Sequence, residues 1–127
     1  MQAIIFVEDA KSRDDIRMAL NMCLPGLELL FIDDSKRCIK IVHNSNPDII
    51  ILDNSFSDMD GYKLITKIRS LSFAPILTLS WVKDEADMLK SIECGADAYC
   101  TKPIKQLEFV AHVRALLCRS KVGLAGN

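Results

Sequence analysis

Residues 49 to 61 read Ile49-Ile-Ile-Leu-Asp53-Asn-Ser-Phe-Ser-Asp-Met-Asp-Gly61. Four apolar residues, three of them β-branched, follow Pro47-Asp48 and run into a lone carboxylate. That pattern predicts a strand buried on both faces with Asp53 at its carboxyl end. A carboxylate emerging from a buried strand is costly unless something neutralises it, and in open α/β sheets ligands sit at the carboxyl ends of the strands. Asp53 is therefore the first candidate for chemistry.

The same arrangement occurs upstream, where Ala3-Ile-Ile-Phe-Val7 is followed by Glu8 and Asp9. A helix follows, with Ser12 and Asp15 spaced as a capping box, an inward face of Ile16, Ala19, Leu20, Cys23 and Leu24, and a stop at Pro25-Gly26. Leu27 to Ile32 is a second strand. Asp33 or Asp34 is placed to cap a second helix, with Cys38, Ile39 and Val42 apolar. Beyond Gly61, the spacing of Leu64, Ile65, Ile68 and Leu71 predicts a third helix, and Ile76-Leu-Thr-Leu-Ser80 a fourth strand that again ends polar. Asp84 to Cys94 reads as a fourth helix with Leu89 and Ile92 inward and Gly95 as its stop. Ala98-Tyr-Cys-Thr101 is a short fifth strand delivering Lys102-Pro103. The last helix is expected from about Gln106 to Cys118, so residues 1–119 form the domain and 120–127 a C-terminal tail or the start of a linker.

Five strands alternating with five helices imply a doubly wound parallel sheet. In the flavodoxin-like order 2-1-3-4-5 the first and third strands are neighbours, which brings Glu8, Asp9 and Asp53 to one crevice. Three carboxylates there repel one another unless a cation is bound, and an oxygen-only set suits Mg²⁺. Ser80 and Lys102 reach the same edge. A carboxylate nucleophile, a hydroxyl, an ammonium and a metal are the parts that phosphoryl transfer uses.

Composition narrows the function further. The 127 residues carry 16 Lys plus Arg against 17 Asp plus Glu, a net charge of −1, which disfavours direct nucleic-acid contact. No apolar run approaches the ~18 residues of a membrane span. The five cysteines are odd in number and lack metal spacing, as expected of reduced thiols in a cytoplasmic protein.

Phe6-Val-Glu-Asp9, Ile49-Ile-Ile-Leu-Asp53 with Met59-Asp-Gly61, Leu77-Thr-Leu-Ser80 and Gly95-Ala-Asp-Ala-Tyr-Cys-Thr-Lys-Pro103 together resemble the receiver domain of two-component response regulators, from Ala3 to about Arg119. The resemblance implies that Asp53 accepts a phosphoryl group from a histidine kinase, a phosphotransfer protein or a small phosphodonor. It implies Mg²⁺, for which Mn²⁺ can substitute, held by Asp9, Asp53 and the backbone carbonyl of Ser55, with Glu8 acting through water. Ser80 and Lys102 would contact the phosphoryl oxygens, and Tyr99 matches the switch aromatic. In relatives Lys102-Pro103 is commonly a cis peptide. The readout would be the face of the fourth helix, fifth strand and fifth helix, met by an effector domain or a partner protein.

Departures from the family pattern are equally legible. Trp81 stands where a small residue is usual, either as a gate over Asp53 or as a surface loop residue. Ser57 replaces a common proline. Ala98 and His112 replace charges that pair in one subfamily's dimer, so homodimer and monomer both stay open. A haloacid-dehalogenase-type phosphatase would need an acid where Ser55 stands, and a flavodoxin would need hydroxyls where Glu8 and Asp9 stand. The rival reading is a receiver-like module that binds or dimerises without phosphorylation.

Overall fold

The computed structural model describes residues 1–54 and 60–126, the side chains of 120–126 excepted. In chain order the elements are β1 (Gln2–Phe6), α1 (Ala10–Cys23), β2 (Glu28–Ile32), α2 (Ser35–Asn44), β3 (Ile49–Asp53), α3 (Gly61–Leu71), β4 (Ile76–Ser80), α4 (Glu85–Cys94), β5 (Ala98–Thr101) and α5 (Gln106–Gly126). The strands form one parallel sheet in the order β2-β1-β3-β4-β5, the expected flavodoxin-like arrangement. Its register sets Phe6 beside Leu52, Asp53 beside Leu79 and Ser80 beside Thr101.

Alternate strand residues feed two cores. Ile5, Ile49, Ile51, Leu77 and Leu79 pack against Ile16 and Leu20 of α1 and Phe109 and Val113 of α5. Ile4, Phe6, Ile50, Leu52 and Ile76 pack against Val42 of α2 and Leu64, Ile65 and Ile68 of α3. Every residue of β3 and β4 is buried, which explains why both strands are mostly aliphatic, with Thr78 as the one polar residue ahead of the strand-end Asp53 and Ser80. Each such aliphatic side chain contributes on the order of 2 kcal/mol by leaving water. The sheet's carboxyl edge is therefore a rigid platform.

Four helices start on an aspartate whose carboxylate accepts a backbone N–H: Asp9 from Ser12, Asp34 from Lys36, Asp60 from Tyr62 and Asp84 from Ala86. Here α1 differs from expectation, because Asp9 and not Ser12 is its cap and the helix begins immediately after the strand-end acids. Gly95 ends α4 with φ +127°, a conformation that a side chain would strain.

The fourth helix corrects a second expectation. Leu89 and Ile92, expected inward, are 50% and 45% exposed, and Ser91 is the buried residue of α4. Periodicity identifies an apolar stripe without saying what covers it, and the four-residue β5 offers little to cover this one. The backbone of α5 also continues to Gly126, past the Cys118 end that its apolar spacing suggested.

Candidate functional site

Asp53 closes β3 at the point where β1 and β4 flank it, and only 1% of its surface is exposed. Asp9 leaves β1 next door. Lys102, 2% exposed, follows β5, and its backbone N–H donates to the Ser80 carbonyl at 2.7 Å. The peptide joining it to Pro103 is cis. From there its ammonium donates to Asp9 Oδ1 at 3.0 Å and to Asp53 Oδ2, tying three strand ends together. A buried lysine between two carboxylates is the neutralisation that the position of Asp53 demanded.

The other oxygen of Asp9 accepts the Ser12 N–H at 2.9 Å. Partial burial would raise the Asp9 pKa, but the hydrogen bonds from Ser12 and Lys102 outweigh it and hold the carboxyl at about 2. Glu8 is exposed at the rim. Among the described residues no three acidic, histidine or cysteine side chains close into a metal cluster. Lys102 bridges Asp9 and Asp53, two of the three carboxylates expected at this edge. Ser55 and Ser57 lie outside the described residues.

Two neighbouring oxygen-donor carboxylates, Asp9 part-exposed and Asp53 buried, fit a hard cation that keeps several waters, and Mg²⁺ is such a cation. Asp9 and Asp53 are the described side chains that could hold it.

Ser80 is fully buried at the end of β4, and its hydroxyl accepts the Val82 N–H at 3.0 Å. Trp81 lies nearly half exposed with its ring centroid 4.8 Å from the Lys102 ammonium. Trp81 is thus part-exposed and in cation–π contact with the buried lysine of the site. The Tyr99 hydroxyl lies 2.6 Å from the Val82 carbonyl oxygen and 2.5 Å from Asp87 Oδ2.

Asp87 was not legible as a site residue. It stands in the first turn of α4, where an acid is ordinarily a solvated partner of the helix dipole. Here it also accepts from the Tyr62 hydroxyl of α3 and from Asn54 Nδ2 at 3.2 Å. Cys100 of β5 is buried in the core, and burial, with a smaller contribution from Glu108, pushes its thiol up to about 12.

A doubly wound sheet with a buried Asp53–Lys102 pair and the part-exposed Asp9 beside it at the β1/β3 switch point puts a charged site where open α/β sheets bind their ligands. Comparison with known proteins makes the assignment specific. Residues 4–114 match the family described as the response regulator receiver domain. The chain is 32% identical over 119 residues to a probable transcriptional regulator, ycf27, of Guillardia theta, covering 94% of this chain and 46% of that one. It is 35% identical over 118 residues to the transcriptional regulatory protein CseB of Streptomyces avermitilis, covering 91% and 49%. A two-component response regulator from Clostridium difficile superposes with a TM-score of 0.85 at 24% identity, covering 94% of this chain and 97% of that one. The receiver domain of the TMAO respiratory system response regulator TorR gives 0.83 at 25%, covering 93% and 97%.

The chain belongs to the response regulator receiver domain family. It spans about half the length of the curated relatives it matches.

Proposed function

We propose that this receiver domain accepts a phosphoryl group on Asp53 from a histidine kinase, a phosphotransfer protein or a small phosphodonor, and catalyses both that transfer and the later hydrolysis. The observation that carries this reading is the buried Asp53 carboxylate held with Asp9 by the Lys102 ammonium.

The step needs little beyond positioning and charge. An Asp53 carboxylate oxygen attacks phosphorus and forms the acyl phosphate bond, while the donor's N–P or O–P bond breaks and its electron pair leaves with the donor. Lys102 is placed to pair with a phosphoryl oxygen and Ser80 to donate its hydroxyl proton to another. Asp9 and Asp53, with the Ser55 carbonyl and with Glu8 through water, would hold Mg²⁺ or Mn²⁺, which supplies charge neutralisation on the transferring group. Hydrolysis returns the carboxylate when water attacks phosphorus and the Asp53 bond breaks.

The phosphate adds roughly −1.5 to −2 charges and shifts a pre-existing equilibrium through contacts that differ between states. Ser80, Lys102 and Tyr99 are those contacts, and the surface of α4, β5 and α5 is the readout. The half-exposed Leu89 and Ile92 give that surface apolar area for an effector domain, a partner protein or a second copy of the chain. Residues 1–119 are the receiver unit in this reading, with 120–127 leading out of it. No described helix is long and apolar enough to cross a membrane. The five free cysteines fit the cytoplasmic setting in this reading, and the net charge of −1 offers no basic footprint for direct nucleic-acid contact by this domain.

Intact mass after incubation with acetyl phosphate or phosphoramidate and Mg²⁺ tests the proposal. A phosphoryl adduct in the wild type, absent in Asp53→Ala and without Mg²⁺, is expected. No adduct despite demonstrated Mg²⁺ binding would favour the phosphorylation-independent module, the reading that the Trp81 ring over Lys102 supports.

A further inference from the structure

The fourth helix is fastened in an unusual way. Its apolar residues Leu89 and Ile92 are half in solvent, so burial of hydrophobic area holds it weakly. Beside the buried Ser91, Cys94 packed on the core and the Lys90–Tyr62 contact, its polar attachment gathers on one carboxylate. Asp87 accepts from Tyr62 of α3, from Tyr99 of β5 at 2.5 Å and from Asn54, the residue after Asp53, at 3.2 Å. The Ser91 hydroxyl of α4 donates to the Asp87 carbonyl at 2.9 Å. Three separate elements thus converge on one side chain, and two of its partners lie beside the phosphoacceptor or on the switch strand.

We propose that Asp87 is a positioning residue of the switch: its carboxylate clamps Tyr62, Tyr99 and Asn54 in the unmodified arrangement and yields when Ser80 turns to a phosphoryl group on Asp53. The proposal rests on the reading of Asp53 as phosphoacceptor. The Ser80 hydroxyl accepts the Val82 N–H at 3.0 Å, and the Tyr99 hydroxyl lies 2.6 Å from the Val82 carbonyl oxygen and 2.5 Å from Asp87 Oδ2, so Val82 joins the switch hydroxyl to the clamp. A Ser80 hydroxyl that turns to a phosphoryl oxygen gives up the Val82 N–H. Modification therefore loosens the residue against which Tyr99 and Asp87 are held. The ammonium of Lys90 lies 4.4 Å from the Tyr62 ring centroid, so the same phenol carries a further α4 contact.

The energetic consequence follows from a two-state equilibrium. If the clamped state predominates in the unmodified chain, only the small unclamped fraction reacts productively, and the observed rate is lowered by that fraction. Weakening the clamp raises the fraction and the rate together. Asparagine at position 87 keeps the shape, loses the charge and accepts through one oxygen instead of two.

The test compares phosphorylation of wild type, Asp87→Asn and Tyr62→Phe by phosphoramidate with Mg²⁺, following intact mass and Trp81 fluorescence, with circular dichroism as the check of folding. Adduct formation about three- to tenfold faster in Asp87→Asn is expected, and about twofold faster in Tyr62→Phe, at an unchanged Mg²⁺ half-saturation. Equal or slower reaction in the folded variants would overturn the clamp while leaving Asp53 as the acceptor. Should Asp87→Asn not fold, Tyr62→Phe decides alone, because it removes one donor and keeps the ring. Absence of any adduct in the wild type would overturn the reading of Asp53 first, and the clamp with it.

Discussion

The Lys102 ammonium sits between two carboxylates and an indole: it bonds Asp9 and Asp53, and the Trp81 ring lies 4.8 Å from it. A phosphoryl oxygen that pairs with Lys102 has to meet this ammonium where the ring covers it. A cation–π contact at a half-exposed site is worth about 0.5–1 kcal/mol, equivalent to about two- to fivefold in rate. Trp81→Ala should therefore react that much faster with small phosphodonors, as read by intact mass. An unchanged rate would leave Trp81 as a surface residue only.

Lys102 itself should be far less expendable. Lys102→Met leaves Asp53 buried beside Asp9 without the shared cation, a change that typically costs about 3–5 kcal/mol. Urea unfolding without divalent cations should register that loss. Saturating Mg²⁺ should recover more stability in Lys102→Met than in the wild type, because a cation replaces the missing charge. Equal recovery in both proteins would argue against Mg²⁺ at this pair of acids.

Much of this site was legible in the sequence because strands buried on both faces cannot hide a charge. Asp53, Ser80 and Lys102 each end or follow an apolar run, and the sheet order brings them together. Asp87 was not legible for the opposite reason. An acid in the first turn of a helix already has an ordinary explanation, and its partners Tyr99, Tyr62 and Asn54 lie 12, 25 and 33 residues away in the chain. Leu89 and Ile92 were misplaced because a helical stripe names no partner. The cap of α1 went to Asp9 over Ser12 because the strand ends closer to the helix than a capping box requires.

Gly61 fixes how the chain re-enters α3 after the site loop. A Cβ there would stand 2.5 Å from the Asn54 carbonyl oxygen and 2.7 Å from its Cα, both backbone atoms that cannot swing aside. Gly61→Ala must displace Asn54 and hence the residue beside Asp53. A stability loss of about 1–3 kcal/mol in chemical unfolding is expected, with slower phosphorylation of the fraction that remains folded. Wild-type behaviour on both counts would show that the approach is not needed.

At the opposite end of the sheet, Arg69 separates stability from function. Its guanidinium donates to the carbonyls of Ser72, Ala74 and Gly95 and to Asp97 Oδ2 at 2.7 Å, while Asp97 accepts the Ile76 N–H. Arg69→Ala strips several partly buried acceptors at once and should cost about 2–3 kcal/mol in chemical unfolding. Phosphoryl adduct formation by the folded protein should be unchanged. A changed rate would mean that this end of β4 and β5 is coupled to the site.

The two tyrosines of the chain are both bonded to Asp87, so phenolate absorbance reports on this cluster alone. The hydrogen bond to Asp87, then burial, pushes Tyr62 up to about 12, and burial followed by the same acceptor does so for Tyr99. Between about 10 and 12 the folded chain keeps phenol protons that the unfolded chain has lost. Stability from these groups is thus fully present below about 10 and disappears as pH rises through 12. Asp9 acts at the other end: its carboxyl sits at about 2, below the unfolded value of 3.8, so its contribution holds above that value and is lost as pH falls toward 2. Asp87→Asn should bring phenol titration down toward 10 and flatten the alkaline loss of stability, while the Ser12 and Lys102 bonds keep the Asp9 contribution. Phenols that titrate near 10 in folded wild type would contradict the hydrogen bonds on which the cluster stands.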